Sequence, residues 1–395
     1  MAAPIARSKR ALVASDSPVA RDPRVLRQVR WLTELGWSVD TLGRGEQPPE
    51  SNGKHYAMPR RSGLFRAFAY LFFPNRLKYA VLVRDTIPEE LRIGQVGGMY
   101  DLVVLNEIEL LPWFAASRDD VVSAAGHAHV DLHEYAPSQR SGLAYRLVFK
   151  RFRDWMIGFI GSPTIDTRSV VATGIGRLYA EKFGFALPTV VRSCPDFVDQ
   201  APTSVDPADI KLVHHGIASL SRGLGLMIEA MKLIDDRFSL ELMLVGGSDA
   251  VETLHRQAES LGDRVRFRDP VDVRQVADVL NAYDLEVIFF PPLTENLRFA
   301  LPNKFFEAVQ ARLGLVIGES SEMVELVTQY GNGVVVPGWE AADLARSINA
   351  LTPDAVRAMK ESSARAAHDL SSESEKAHFV EALGLKGGRG GRPRA

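Results

Sequence analysis

Short apolar runs that alternate with amphipathic helical segments are the feature that most constrains the fold of this chain. Residues 11–14 and 38–42 predict two buried strands, and the helix between them is predicted to begin at Pro23 with Asp22 as its N-cap. The apolar residues of each run are contiguous, which is typical of parallel strands covered by helices on both faces. The sequence therefore predicts an α/β fold of doubly wound parallel sheets.

The same pattern continues on both sides of segment 200–209, which has few large apolar residues. Further strands are predicted at 102–105, 130–132, 170–172 and 190–191, and then at 211–215, 240–245, 265–267, 285–290, 315–317 and 334–336. The length of 395 residues also fits two domains. We expect an N-terminal domain over 1–199, a C-terminal domain over 200–370, a helix over 371–385 that returns to the first domain, and a disordered basic tail over 386–395. Because ligands bind at the carboxyl ends of strands in such sheets, a cleft between two facing domains is the expected site.

Composition excludes several classes of protein. A hydrophobic content of 46% with 24% charged residues is typical of a soluble globular chain. The balance of 47 basic and 49 acidic residues argues against a protein dedicated to nucleic acid. The single Cys194 leaves no disulfide framework and predicts a reducing compartment, the cytoplasm. No signal peptide is expected, and no apolar run reaches the roughly 18–20 residues that span a bilayer.

Two segments of the second half carry residues suited to binding an anion. In residues 302–307, Lys304 and Glu307 lie near the start of a predicted helix, where free amides and a lysine attract phosphate and a glutamate can accept from hydroxyls. The same spacing also fits an exposed ion pair. Residues 214–223 run from a predicted strand through a glycine to the start of a helix. Arg222 lies at that helix start, and its planar guanidinium can bridge two phosphate oxygens. A solvated arginine is the alternative.

His133 closes a predicted strand in the first half and should lie at the carboxyl edge of the sheet. A histidine there can donate to a substrate hydroxyl or act as an acid or base, although a buried, hydrogen-bonded histidine is the alternative. His127 and His129 alternate with it, but residues on one extended strand are separated by about 6.6 Å per pair and cannot converge on one ion. We expect no metal site.

Common catalytic signatures are missing from the sequence. It contains no P-loop, no H-E-x-x-H helix, no G-x-S-x-G elbow, no G-x-G-x-x-G after the first strand and no D-x-D carboxylate pair. Phosphate charge would then be met by Arg222, Lys304 and helix termini.

The order of the motifs resembles that of the family-4 retaining glycosyltransferases of GT-B architecture, which have two facing Rossmann-like domains. In the first half the resemblance rests on residues 15–25 with Leu35-Gly36, on Asp101-Leu-Val-Val-Leu, on Asp131-Leu-His-Glu134 and on Cys194-Pro-Asp-Phe-Val-Asp199. In the second half it rests on His215-Gly216, Arg222-Gly223, Val245-Gly-Gly247, Val265-Arg-Phe267, Tyr283-Asp284 and residues 300–307. The match covers about residues 11–350 in family order.

The resemblance implies a hexosyltransferase-type enzyme that moves a sugar from a nucleotide-sugar donor to a hydroxyl acceptor with retention and without metal. The nucleotide sugar is a substrate, and no cofactor is implied. The resemblance implies catalytic roles for four residues, namely His133, Arg222, Lys304 and Glu307. The implied donor-binding residues are Gly216, Arg222, Gly246, Glu295, Asn296, Asn303, Lys304 and Glu307. The implied acceptor-binding residues are Ser17, Arg21, Arg24 and Glu134.

Two positions differ from the family pattern. Phe299 stands eight residues before Glu307 where the family has a glutamate, and Ile217 follows Gly216 where an arginine is usual. Glu295 or Asn296 is the predicted substitute for the missing glutamate. Two alternatives remain: a non-catalytic GT-B binding subunit and a sugar-nucleotide epimerase.

Two stretches of the first half interleave basic and aromatic residues, over 60–84 and 140–159. Such surfaces can rest on anionic lipid, which would place the protein peripherally on the inner face of the plasma membrane and admit a lipid-linked acceptor. A solvated helical face is the alternative. The resemblance implies a carbohydrate, lipid-linked or small-molecule acceptor in cell-surface polysaccharide or glycolipid assembly, and no nucleic acid partner.

Overall fold

The computed structural model describes residues 9–92, 98, 100–138, 145–219, 222–246 and 248–385. The chain forms two compact units, Met1–Val191 with Lys376–Ala395 (the N-terminal unit) and Arg192–Glu375 (the C-terminal unit). The predicted basic tail over 386–395 lies outside the described residues, as do Ser221 in segment 214–223 and Gly247 in the Val245-Gly-Gly247 motif.

The N-terminal unit contains seven strands in one parallel sheet of order β3-β2-β1-β4-β5-β6-β7. The strands are β1 (Arg10–Pro18), β2 (Ser38–Arg44), β3 (His55–Ala57), β4 (Tyr100–Asn106), β5 (Val122–Leu132), β6 (Thr167–Val170) and β7 (Thr189–Val190). The α-helices in this part of the chain are α1 (Pro23–Glu34), α2 (Gly63–Phe72), α3 (Asn75–Leu82), α4 (Glu89–Arg92), α5 (Leu111–Val121), α6 (Lys150–Ile157) and α7 (Thr173–Phe183).

The C-terminal unit repeats this arrangement with six parallel strands in the order β10-β9-β8-β11-β12-β13. They are β8 (Ile210–Ile217), β9 (Phe238–Val245), β10 (Val265–Arg268), β11 (Leu285–Ile288), β12 (Gly314–Ile317) and β13 (Gly333–Val335). The α-helices that follow β7 are α8 (Leu224–Met231), α9 (Ser248–Ala258), α10 (Val276–Leu280), α11 (Glu295–Arg298), α12 (Asn303–Gln310), α13 (Ser321–Tyr330), α14 (Ala341–Asn349), α15 (Pro353–Ala366) and α16 (Ser372–Ala382). The prediction of two parallel-sheet α/β units is confirmed.

Local signals in the sequence explain where the first helix begins. The side chain of Asp22 accepts hydrogen bonds from the backbone N–H groups of Arg24 and Val25, and Pro23 occupies the first turn, as predicted. Val25, Val29 and Leu32 are fully buried on the side of α1 that packs on the sheet. Phe379 of α16 joins the same core, with its ring centroid 5.2 Å from that of Trp31.

Parallel register places polar residues in a row at the carboxyl edge of the N-terminal sheet. Ser15 on β1 pairs with Asn106 on β4, Asn106 pairs with Asp131 on β5, and Asp131 pairs with Ser169 on β6. Asn106, Asp131 and Ser169 are at most 1% exposed. Because buried polar groups must be hydrogen-bonded, this row forms a polar cluster within an otherwise apolar sheet.

No helix among the described residues is both long enough and apolar enough to cross a bilayer.

Candidate functional site

His215 lies between two carboxylates at the carboxyl edge of the C-terminal sheet. Its Nδ1 is 3.0 Å from Oε2 of Glu286, and its Nε2 is 2.8 Å from Oε2 of Glu307. Burial opposes a charge on the ring, but Glu286 and Glu307 outweigh it and raise the pKa of His215 to about 9. The imidazolium therefore donates from both nitrogens near neutral pH and fixes the position of the Glu307 side chain.

Lys304 is held in the same place by the neighbouring histidine. Nδ1 of His214 is 2.6 Å from the carbonyl oxygen of Val287, so this nitrogen donates and Nε2 is left as an acceptor. Nζ of Lys304 donates to that Nε2 at 2.9 Å. Burial and the Lys304 charge hold the pKa of His214 well below its usual range, which keeps the ring neutral. We call His214, His215, Glu286, Lys304 and Glu307 the C-terminal polar cluster.

The ammonium group of Lys304 is buried yet incompletely paired. Lys304 is 5% exposed, and two of its three N–H donors have no hydrogen-bond partner among the described residues. Burial lowers its pKa to about 8. No ion pair joins Lys304 to Glu307 in the described structure, so the exposed ion pair that their spacing also permits is not formed. Gly216, at φ +122°, adjoins the ammonium group: a Cβ at this position would lie 3.1 Å from Nζ.

Arg222 adds a second cation beside Lys304. The centre of its guanidinium lies 5.7 Å from the ring centroid of Phe290, and Nζ of Lys304 lies 5.0 Å from the same centroid. The Arg222 side chain has no hydrogen bond or ion pair with any other described residue. The Arg222 charge also contributes to the lowered pKa of Lys304. Two cations that share one aromatic ring, without a carboxylate bound to either, are suited to binding an anion with more than one charge.

The other predicted donor-binding residues occupy separate positions in the C-terminal unit. Gly246 directly follows β9 with φ +110°, and Asn303 is the exposed first residue of α12. Glu295 and Asn296 open the short helix α11, where Oε2 of Glu295 is 3.9 Å from Nη1 of Arg298 and has no hydrogen-bond partner in the described structure. These donor roles stay predictions.

A second polar cluster lies at the carboxyl edge of the N-terminal sheet. Asp131 accepts two hydrogen bonds from Arg24, at 2.6 and 2.8 Å, and one each from Gln28 and Ser169, both at 2.6 Å. Burial alone would raise the pKa of Asp131, but Arg24 and His133 hold it well below its usual range. We call Arg24, Asn106, Glu107, Asp131 and His133 the N-terminal polar cluster.

His133 lies at this sheet edge, where the sequence predicts it, and is only partly buried. Its Nε2 is 3.0 Å from Oδ1 of Asn106 and 3.3 Å from Oδ2 of Asp131, and its backbone N–H donates to Glu107 at 2.8 Å. Burial lowers the pKa of His133, yet Glu107 and Asp131 outweigh burial and raise it. Burial raises the pKa of Glu107 to about 7. This pair can therefore donate hydrogen bonds to a hydroxyl and exchange a proton near neutral pH.

Glu107 has a strained backbone. Its φ of +63° is in the left-handed region, which costs a non-glycine residue about 1–2 kcal/mol. In this conformation the carboxylate of Glu107 accepts a hydrogen bond from the backbone N–H of His133. The strain and the partner together make Glu107 part of the site, although the sequence alone does not single it out.

The predicted acceptor-binding residues differ in their surroundings. Arg24 is 7% exposed and its guanidinium is bound to Asp131 and to the carbonyl of Val191, so it supports the cluster from within the unit. The Ser17 hydroxyl donates to Asp22 at 2.9 Å, whereas the side chains of Arg21 and Glu134 are exposed. Acceptor binding by these four residues stays a prediction.

Glu286 is the main residue of the C-terminal polar cluster that sequence reasoning missed. It is fully buried on β11, within a run that otherwise reads Leu-Val-Ile-Phe-Phe. A buried carboxylate needs a cation nearby, so a single glutamate within an apolar strand is the sequence feature that could have identified Glu286. Its partner, His215, is 71 residues away in sequence and becomes a neighbour only through the pairing of β8 with β11.

The described histidine, cysteine and carboxylate side chains form no group of three or more suited to a metal ion. His127 and His129 both contact Thr167, at 2.7 and 2.8 Å.

Comparisons with known proteins place the C-terminal polar cluster within a segment that matches a family model. Residues 209–354 match the model of a family described as Glycosyl transferases group 1. No curated protein sequence gives a significant match. The matched segment contains the whole C-terminal polar cluster.

Solved structures share the fold over nearly the whole chain. Sucrose-phosphate synthase from Thermosynechococcus elongatus has a TM-score of 0.69 at 16% identity, covering 94% of this chain and 98% of that one. HepE from Anabaena, solved with UDP and glucose, gives 0.69 at 16% identity with 95% and 99% coverage. The α,α-trehalose 6-phosphate synthase from Burkholderia multivorans gives 0.60 at 13% identity with 96% and 98% coverage. The predicted fold class, GT-B, is confirmed.

Proposed function

We propose that the protein is a glycosyltransferase that moves a sugar from a nucleotide-sugar donor to a hydroxyl acceptor. The observation that carries the proposal is the pair of cations at Phe290, Arg222 and Lys304, neither of which has a carboxylate within ion-pair distance among the described residues. A donor diphosphate carries the complementary charge. The family match over residues 209–354 and the UDP-containing structure of HepE support this choice of ligand.

Residues in and beside the C-terminal polar cluster have distinct parts in the proposal. Arg222 and Lys304 would stabilise the negative charge that develops on the departing diphosphate, which is electrostatic preorganisation of the transition state. Glu307 keeps one carboxylate oxygen for the hydroxyls of the donor, because only Oε2 is bound to His215. Gly216 has no Cβ, so no side chain at this position crowds the ammonium group.

The proposed reaction proceeds with retention and without a metal ion. The bond between the anomeric carbon and the diphosphate oxygen breaks, and the acceptor oxygen bonds to the same face of that carbon. The hydroxyl proton passes to the departing diphosphate, so no carboxylate nucleophile is needed. His133 would donate a hydrogen bond to the transferred sugar, and the acceptor would belong to cell-surface polysaccharide or glycolipid assembly.

The proposal is tested by presenting the full-length protein with UDP, UDP-glucose and a panel of other nucleotide sugars. A ligand at about 100 times its Kd should stabilise the fold by about 2.7 kcal/mol, which is measured as a rise in unfolding temperature. The matching nucleotide sugar should also release its nucleoside diphosphate slowly. Stabilisation without release or transfer would favour the non-catalytic binding subunit, and exchange into a sugar epimer would favour the epimerase. Absence of stabilisation by every nucleotide sugar would contradict the proposal.

A further inference from the structure

The N-terminal unit has a cavity of about 200 Å³ that the proposed chemistry does not use. It lies at the carboxyl edge of the sheet, because Asp16 is near the end of β1, Arg44 ends β2 and Glu109 follows β4. The rest of the lining is basic, aromatic or apolar: Arg61, Arg66, Tyr70, Leu82, Val83, Tyr145, Phe149, Phe152, Arg153 and Met156. His133 stands at the same edge of this sheet.

The charges of the lining do not cancel. Arg44 is paired with Asp16 at 2.6 Å, and Arg153 is 3.6 Å from Glu109. Arg61 and Arg66 have no carboxylate within 4.0 Å among the described residues. Arg61 donates instead to the carbonyls of Val81 and Asp85, at 3.2 and 3.4 Å, which leaves its charge uncompensated. The lining of the cavity is therefore suited to an anionic group.

Helix α2 separates this cavity from a large apolar surface. Arg66 and Tyr70, one turn apart, line the cavity. On the outer side of the helix, the exposed fractions are 87% for Leu64, 51% for Phe68, 64% for Leu71 and 67% for Phe72. Exposed apolar residues at this spacing form a continuous stripe, and such a stripe is unusual on a protein surface that meets only water.

The charge of the residues around α2 indicates what kind of partner its exposed apolar side can bind. Residues 60–84 contain six basic residues and no Asp or Glu. An apolar helical stripe flanked by cations is complementary to an anionic lipid surface, where the apolar side chains enter the acyl boundary and the cations remain among the head groups.

We infer that this cavity binds the phosphate-bearing head group of an anionic lipid while the exposed face of α2 rests in the bilayer surface. Arg61 and Arg66 bind the phosphate, and Phe68 and Leu71 contact the acyl chains. The inference goes beyond sugar transfer, because it concerns binding to a membrane in the absence of any donor.

Vesicle flotation with the full-length protein tests the inference. We expect binding to phosphatidylcholine vesicles that contain phosphatidylglycerol, and binding weaker by about tenfold or more to vesicles of phosphatidylcholine alone. The variants Arg61→Ser/Arg66→Ser and Phe68→Ser/Leu71→Ser should each lose about tenfold or more in binding to the anionic vesicles. All four side chains are exposed, so these variants should keep the fold, which an unchanged circular dichroism spectrum would verify.

Matched controls remove the same kinds of side chain from the C-terminal unit. Arg274→Ser/Arg357→Ser removes two exposed cations, and Leu233→Ser/Val273→Ser removes two exposed apolar side chains. Both pairs should bind vesicles as the wild type does. Wild-type binding by Arg61→Ser/Arg66→Ser would overturn the head-group site. Unimpaired binding by Phe68→Ser/Leu71→Ser, with competition by soluble glycerol phosphate, would show a site for a free anion and overturn the lipid assignment.

The same samples separate this inference from the proposed function. UDP stabilisation is measured without vesicles, and vesicle binding is measured without a nucleotide. Vesicle binding without any nucleotide-sugar turnover would support the lipid site and contradict the proposed glycosyltransferase activity. Nucleotide-sugar turnover without vesicle binding would contradict only the proposed lipid site.

Discussion

The buried ammonium group of Lys304 couples the C-terminal polar cluster to pH. Its pKa in the folded protein, about 8, lies below the ordinary value of 10.5, so the folded state binds fewer protons than the unfolded state between these values. This group alone therefore makes the free energy of unfolding rise with pH over that range. A bound diphosphate favours the charged form of Lys304 and should raise its pKa. The dependence of the free energy of unfolding on pH should then be weaker over this range.

On the proposed function, binding of a nucleoside diphosphate, tested with UDP, should accordingly be accompanied by proton uptake at about pH 8–9. Isothermal titration in two buffers of different ionisation enthalpy measures the number of protons taken up. The variant Lys304→Met lacks the titrating group and should show weaker binding with no uptake. Equal uptake by the variant and the wild type would assign the proton to another group.

Gly216 offers a test of access to the same ammonium group. In Gly216→Ala the new Cβ would lie 3.1 Å from Nζ of Lys304 at a φ of +122°, so UDP affinity should fall by more than the strain alone explains. Gly331→Ala is the matched control, because φ there is +65° and no atom lies within 4 Å of the added Cβ. Both variants should lose stability in urea, but only Gly216→Ala should lose UDP affinity.

Residue types could be predicted from the sequence better than their partners could. The positions of Lys304 and Glu307 near a helix start, and of His133 at a sheet edge, follow from local signals. The bond between Arg24 and Asp131 spans 107 residues and exists only because the fold brings the start of α1 to the end of β5. Short-range patterns carry no information about such pairs, so the sequence does not predict that Arg24 is buried against Asp131.

At the scale of elements, contiguous apolar runs identified the central strands well. Of the thirteen strands in the part of the chain that the structure describes, twelve contain or overlap a predicted run. The exception, β3, is a three-residue strand at the edge of its sheet with the sequence His-Tyr-Ala, in which only Tyr56 is buried. An edge strand of this length pairs with one neighbour and needs no apolar run.

The first helix provides a test at this scale. Asp22→Ala removes the acceptor for the N–H groups of Arg24 and Val25 and should lower the free energy of unfolding by about 1 kcal/mol. Asp22→Asn keeps a capping oxygen and should lose much less. Urea denaturation measures both, and an equal loss in the two variants would contradict the capping role.

At the scale of the whole molecule, the chain returns from the C-terminal unit to complete the core of the N-terminal one. Phe379 is fully buried among α1 and the sheet, 5.2 Å from Trp31 and 6.3 Å from His129 between ring centroids. Because Phe379 belongs to the apolar core of the N-terminal unit, removal of its ring should lower the stability of that unit first.

Phe379→Ala should therefore destabilise the N-terminal unit by about 3–5 kcal/mol. Calorimetry should show one component of the unfolding transition shifted to lower temperature. Leu187→Ala, at a side chain that is 53% exposed, is the matched control and should change little. A uniform shift of the entire transition would show that the two units unfold as one.

The central claim is that Arg222 and Lys304 stabilise a departing nucleoside diphosphate. The most direct measurement is the rate at which that diphosphate is released from the donor identified in the nucleotide-sugar panel, with Arg274→Ala as the control for loss of an exposed cation. Arg222→Ala and Lys304→Ala should each slow release by about a hundredfold or more, the scale for loss of one preorganised charge, while Arg274→Ala keeps the wild-type rate. Rates near that of the wild type in both Arg222→Ala and Lys304→Ala would contradict the account.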